Sequence, residues 1–153
     1  MTHPEADAPL LRLIGLSMRQ LSNDLTDKLI SAGFTDHRDS FHNVMPHIPS
    51  DGIRLTELAR RAGISKQAMA ELVGEAERLD YLQRSADPSD ARAKLITFTD
   101  KGMAAVRTAI ASLNEIEREL IDRLGEPSVR RLRKLLLEVL DRPAYAHRDD
   151  PAK

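Results

Sequence analysis

Leu10, Ile14, Met18, Leu21, Leu25 and Leu29 recur at intervals of three or four. That spacing predicts a helix from about residue 8 to 31 with one apolar stripe, ended near Gly33. Leu55, Leu58, Ala59 and Ala62 share one face of a short second helix, and Glu57, Arg60 and Arg61 face outward. Gly63 ends that helix, where a left-handed residue is needed, and Ile64 plugs the corner. Ser65 suits the N-cap of a third helix, whose inward face is Met69, Leu72, Val73 and Ala76. Tyr81–Arg84 reads as a short strand and Leu95–Thr99 as a second one rich in β-branched residues. Asp87, Pro88, Ser89 and Asp90 form turns between them. Asp100 caps a long helix carrying Val106, Ile110, Leu113, Ile116, Leu120 and Leu124, which Gly125 and Pro127 break. A last helix, Ser128 to about Asp141, places Val129, Leu132, Leu135, Leu136 and Val139 on one side.

Helix, turn, helix and hairpin in that order make a winged helix. The expected fold class is therefore α+β, mostly helical, with N- and C-terminal dimerisation helices at about 8–33 and 100–141. The DNA-binding lobe spans about 34–99 with its wing at 81–99, all within one domain. The small Ala59 fits a close helix crossing; the plain alternative is two packed helices in an all-α protein. Arg92 and Lys94, at or just past the hairpin tip, suit a narrow and electronegative minor groove. The alternative there is a solvated turn with an Arg–Asp pair. The flanking stripes exceed what a small winged helix buries alone, so a partner helix is expected. Packing into an intramolecular bundle is the competing possibility. A two-fold dimer would set two recognition helices about one DNA turn apart.

Composition narrows the class. A chain of 153 residues suffices for one domain with a core. A net charge of −1 argues against a generic polycation, and residues 54–94 hold eight Lys/Arg against seven Asp/Glu. Specific DNA binding needs only a locally positive surface. With no cysteine, a thiol switch and a thiolate metal site are ruled out, and a reducing compartment fits. The opening MTHPEADAP is polar, so no signal peptide is expected. No apolar run approaches the roughly twenty residues that span a bilayer. The expected location is cytoplasmic, with no membrane partner and no cofactor.

The segments ELARRAGIS (57–65), DPSDARAKL (87–95) and LITFTDKG (95–102) resemble the multiple-antibiotic-resistance regulator (MarR) family of bacterial winged-helix regulators. Its Asp-any-Arg wing element is matched by Asp90, Ala91 and Arg92; its strand-ending Thr and helix-opening Gly are matched by Thr99 and Gly102. The likeness runs from about Leu10 to Leu140, and its specific part is 55–102. It implies a homodimer on an inverted-repeat, pseudo-palindromic operator, usually a repressor released by a small ligand. In that role Ser65 caps the recognition helix and touches phosphate, while Lys66 and Gln67 reach phosphate and base edges. Arg92 enters the minor groove, and Arg84 and Lys94 hold backbone. Two departures stand out. Glu71 and Glu75 occupy positions where relatives often carry Arg, and carboxylates repel phosphate although Glu accepts from cytosine N4. Asp80 sits where a Gly usually follows the recognition helix; Asp tolerates the left-handed conformation moderately well.

The segment FTDHRDSFHNVMPHIPSD (34–51) reads as a helix disturbed near its end by Pro46. His37, His42 and His47 are spaced by five, about 140° per step on a helix, which argues against a shared metal site. His37-Arg38-Asp39 matches a kinase loop motif by coincidence, since the rest of that signature is missing. In the resembled family this region lies where effectors bind. Phe34, His37, Arg38, Phe41 and Met45 then supply aromatic walls and a cation for an aromatic or anionic effector; the bland reading is core packing and exposure. Arg130, Arg131, Arg133 and Lys134 read as the solvated face of the last helix, and residues 142–153 as a flexible tail. Two further function classes stay open: a winged-helix protein-interaction module with weak or no DNA binding, and a small enzyme. No nucleophile–base spacing, metal cluster or phosphate loop supports the latter, and the chain is expected not to be an enzyme.

Overall fold

The computed structural model describes residues 5–141; the tail expected at 142–153 lies outside them. Helix α1 (Leu10–Ser31) opens the chain. It is followed by two short 3-10 turns (Asp39–Asn43 and Met45–His47) and by strand β1 (Ile53–Arg54). Then come α2 (Leu55–Ala62), α3 (Lys66–Arg78), β2 (Leu82–Asp87), β3 (Asp90–Phe98), α4 (Asp100–Leu124) and α5 (Glu126–Leu140). The strands form one antiparallel sheet in the order β1-β3-β2. The chain falls into two compact units, one up to Asn114 and one from Glu115 onward.

The winged helix is built as its apolar spacing dictates. Gly63 adopts φ 68° and closes α2. Ser65 Oγ accepts from the Ala68 N–H at 3.1 Å, satisfying one of the orphan amides at the start of α3. Met69, Val73 and Ala76 bury the inner face of α3 against Leu58, Ala59, Phe41 and Ile96 in a single core cluster. Asp80, φ 61°, makes the left-handed step from α3 into the wing.

Several expectations are corrected. Residues 34–48 form a loop and two 3-10 turns instead of a helix. Pro46 cannot donate the amide a continuing helix requires, and core burial of Phe41, Val44 and Met45 sets the chain's path. His37 and His42, assigned to separate faces by helical geometry, consequently lie with ring centroids 5.1 Å apart. The wing strands are longer than 81–84 and 95–99, and the unforeseen β1 pairs Ile53 with Ile96. Ile64 is 36% exposed and does not plug the corner. The acceptor at the start of α4 is Thr99, not Asp100: Thr99 Oγ accepts from the Gly102 N–H at 2.9 Å. Helix α5 starts two residues early, with Pro127 in its first turn, where a missing N–H costs nothing.

The apolar faces of the long helices are open over part of their length, although Leu25 and Leu29 of α1 are buried. Leu10 is 70% exposed on α1, Leu140 is 76% exposed on α5, and no residue of α5 is buried. Arg130, Arg133 and Lys134 pair with Glu126, Glu117 and Glu138 on the solvated side, as their alternation with leucines suggested.

One glycine is fixed by sterics. A Cβ on Gly102 would stand 1.9 Å from the Tyr81 carbonyl oxygen, backbone against backbone. Gly102→Ala gains about 1 kcal/mol of helix propensity, but the clash is expected to outweigh it. The net loss should be about 2 kcal/mol or more, at the upper range of overpacking costs. Urea denaturation measures it, and an unchanged or higher midpoint contradicts the close approach.

Candidate nucleic-acid interface and its adjoining cavity

The sequence from Gly63 to Gln67 breaks the apolar pattern, and the structure exposes all five residues. The start of α3 therefore presents Ser65, Lys66 and Gln67 outward, while the next turn is anchored by Met69. Partial positive charge at a helix N-terminus adds to Lys66 there.

The wing has its own device. The β2–β3 register jumps from Ala86↔Lys94 to Asp87↔Asp90, so residues 91–93 bulge from β3. Bulges re-aim side chains, and this one carries the exposed Arg92. Asp87, buried at the base of the tip, accepts from Ser89 N–H (2.8 Å) and Ser89 Oγ (2.6 Å). It also accepts from Arg54 Nε at 2.8 Å. The Ser89 hydrogen bonds, with Arg54, hold its carboxyl down at about 2. The tip is thus braced by a charge that stays ionised.

Most other cations near this face are already engaged. Glu57 takes both Arg60 (2.7 Å) and Arg61 (2.9 Å). Arg84, expected on the backbone, donates to both Glu77 oxygens at 3.1 Å. Arg38 lies 3.5 Å from Glu75. Two carboxylates of α3 are therefore neutralised within the fold, leaving Glu71 exposed. Lys66, Arg78, Arg92 and Lys94 form no ion pair among the described residues and are exposed. The Glu57 pairs are one helical turn apart within α2, whereas Arg84–Glu77 and Arg38–Glu75 were not legible in sequence, since those partners meet only through the tertiary fold.

Behind α3 lies a cavity of about 580 Å³ walled by α1, the two 3-10 turns and the first part of α4. His37, Phe41 and Met45 line it as the sequence suggested; Phe34 packs toward Tyr81 instead, and Arg38 faces Glu75. His42, overlooked earlier because a helix would have turned it away, also lines it. All four ring nitrogens of His37 and His42 are buried without a hydrogen-bond partner among the described residues. Each unmet group of this kind costs about 1–3 kcal/mol.

The cavity wall is wired to the interface. Asp36 accepts from Tyr81 Oη (2.6 Å) and Lys101 Nζ (2.7 Å), and Lys101 also donates to the Leu79 carbonyl (2.8 Å) at the end of α3. Lys101 and then Tyr81 depress the Asp36 carboxyl, while burial followed by Asp36 pushes the Tyr81 phenol up.

Comparisons with known proteins converge on one group. Residues 47–93 match the family model described as MarR family. The chain is similar to the MarR family over these residues, which take in the helix-turn-helix and much of the wing. It is 30% identical over 87 residues to the HTH-type transcriptional repressor Rv2887 of Mycobacterium tuberculosis, an alignment covering 57% of this chain and 63% of that one. The match thus spans less than two thirds of the curated relative. A MarR mutant from E. coli complexed with operator DNA superposes with TM-score 0.71 at 22% identity, covering 89% of this chain and 96% of that one. CouR from Rhodococcus jostii RHA1 bound to p-coumaroyl-CoA gives 0.68 at 20% identity, covering 90% and 95%. These likenesses establish the winged-helix fold for this chain. Among the described residues no helix is long and apolar enough to cross a membrane.

The histidine pair gives a pH signature. Burial, then the charge of His42, drives His37 down from 6.5 to about 4, against the opposing pull of Asp39 and Asp36. Between those values the unfolded chain binds the extra proton and the fold does not. Acidification through that window should therefore remove stability, up to about 3 kcal/mol. The His37 ring is expected to titrate near about 4 by NMR, and His37→Phe to flatten the stability–pH curve. A midpoint at the ordinary histidine value contradicts the burial.

Proposed function

We propose that this chain is a MarR-family transcriptional regulator that binds a pseudo-palindromic operator as a homodimer, repressing until a small ligand releases it. The outward-facing turn that leads into α3, residues 63–67 exposed ahead of a fully buried Met69, carries the reading. Such a turn enters a major groove, with Lys66 on phosphate and Gln67 on an adenine edge. Arg92 on the wing bulge takes the neighbouring minor groove, and Lys94 holds backbone. Arg84 serves first by neutralising Glu77, which lowers the repulsion between α3 and phosphate. Glu71 reads cytosine N4 or sets a sequence preference.

Dimerisation follows from surface chemistry. The apolar faces of α1 and of α5 are too extensive to leave in water, and a second copy of the chain covers each. The name of the mycobacterial relative, a repressor, supports the direction of regulation. The CouR complex with p-coumaroyl-CoA supports a ligand-responsive member of this fold. Here the effector site is the cavity behind α3. A ligand there biases the posture of residues 36–38, and through Tyr81, Lys101 and Glu75 the spacing of the two recognition helices, a population shift rather than a direct block.

Mobility shift on the DNA beside the chain's own gene, with scrambled competitor and a salt series, tests the reading. Specific binding that weakens steeply with salt is expected. Arg92→Ala should lose about 1–3 kcal/mol of affinity at matched salt, and Arg84→Ala less. Salt-insensitive or absent binding would favour the protein-interaction module that an exposed Glu71 suggests.

A further inference from the structure

The outward face of α3 carries one carboxylate that the fold leaves alone. At about 100° per residue, Gln67, Glu71, Gly74 and Arg78 fall within about 60° of one another, opposite the buried stripe of Met69, Val73 and Ala76. Gln67, Glu71 and Arg78 are exposed there. Glu75 and Glu77, flanking this face, are taken by Arg38 and Arg84. Glu71 has no ion-pair or hydrogen-bond partner among the described residues. Its neighbours one helical turn away are Gln67, Ala68, Gly74 and Glu75, none of them a cation.

A second feature marks the same face. A Cβ on Gly74 would meet nothing within 4 Å, so packing inside the fold gives no reason for a glycine there. Glycine within a helix is destabilising relative to alanine. Its advantage lies outside the chain: with the small Ala70 one turn earlier, it lets another molecule come close to the α3 backbone. In a major groove that closeness carries a side chain as short as glutamate past the phosphates to the base edges.

A carboxylate only accepts. In the groove guanine presents two acceptors and thymine an acceptor and a methyl, so both oppose it; the donors are the amino groups of cytosine and adenine. The adenine amino group adjoins the bare N7 acceptor, which repels the second carboxylate oxygen, whereas cytosine N4 adjoins a C–H. Along the helix axis Glu71 lies about 6 Å beyond Gln67, two base-pair steps of about 3.4 Å each. Resting on the reading of α3 as the major-groove helix, we infer that Glu71 is a specificity-determining residue. It demands a cytosine N4 amino group in each half-site, about two base pairs from the base that Gln67 reads, and Ala70 and Gly74 supply the approach. The unpaired carboxylate trades general affinity for selectivity: it repels phosphate everywhere and is satisfied only where that amino group stands.

Selection of the full chain on a pool of randomised duplexes, each long enough for two half-sites, supplies the operator and the test. Each selected half-site should hold a cytosine at a fixed place, and exchanging that C·G pair for T·A should weaken wild-type binding about ten-fold or more. Glu71→Ala should bind the selected operator more weakly than the wild type yet bind unrelated duplex more tightly, and the same base exchange should cost it little. Gly74→Leu should keep its thermal midpoint, since its side chain meets nothing in the fold, and lose operator affinity about ten-fold or more. Tighter binding of Glu71→Ala to every duplex alike would overturn the inference, because the carboxylate would then only repel. Full operator affinity in Gly74→Leu, or a wild type indifferent to the base exchange, would overturn it as well. A pool that yields no enriched sequence removes the operator-binding reading itself, and this inference with it. An enriched operator lacking the Glu71-dependent cytosine removes this inference alone.

Discussion

Tyr81 is the residue on which the rest of the lobe hangs. It is fully buried at the junction of α3, the sheet and α4. Its N–H donates to the Ala76 carbonyl at 2.8 Å, closing α3, and its carbonyl accepts from Thr99 at 3.2 Å, joining the far end of the wing. That same carbonyl faces Gly102, which is why α4 can start there at all. The ring meets Phe34, Phe41 and His37 and lies 4.3 Å beneath the Lys101 ammonium. The hydroxyl reaches Asp36. One side chain thus ties the recognition helix, the wing, the long helix and the cavity wall into a single packing unit. Close-packed interiors of this kind switch between discrete arrangements and do not deform smoothly.

That constraint explains how a chain with net charge −1 can present a locally cationic face. The fold spends its carboxylates internally: Glu57, Glu75, Glu77 and Asp87 each hold an arginine. The cations left over near this face are Lys66 at the opening of α3, Arg78 at its end, and Arg92 and Lys94 on the wing. The ion pairs are mostly exposed and stabilise little individually. Their contribution is positional, keeping α3 free of repelling charge and the wing tip braced.

Local spacing made much of this legible. The stripe from Leu55 to Ala76, Gly63 at the turn and Ser65 as cap identify the helix-turn-helix because each is a requirement within one or two turns. Asp80 at φ 61° and the break at Gly125 follow the same logic. Residues 34–48 were not legible as 3-10 turns. No local signal marks that path, which is set by Phe41 and Val44 reaching a core built from α2, α3 and β3. The pairs Arg84–Glu77, Arg38–Glu75 and Arg54–Asp87 were invisible for the same reason. The helix-turn-helix and the wing were therefore readable from sequence, while the electrostatics of the face they form required the fold.

The central claim is geometric: two copies of this lobe read two half-sites while their wings hold the flanking minor grooves. Hydroxyl-radical footprinting of the operator complex tests it most directly. The account predicts two symmetric protected patches about one helical turn apart, roughly 10 base pairs, each flanked by a protected minor groove that Arg92→Ala reopens. A single patch, or flanks that remain open with the wild-type chain, would contradict it.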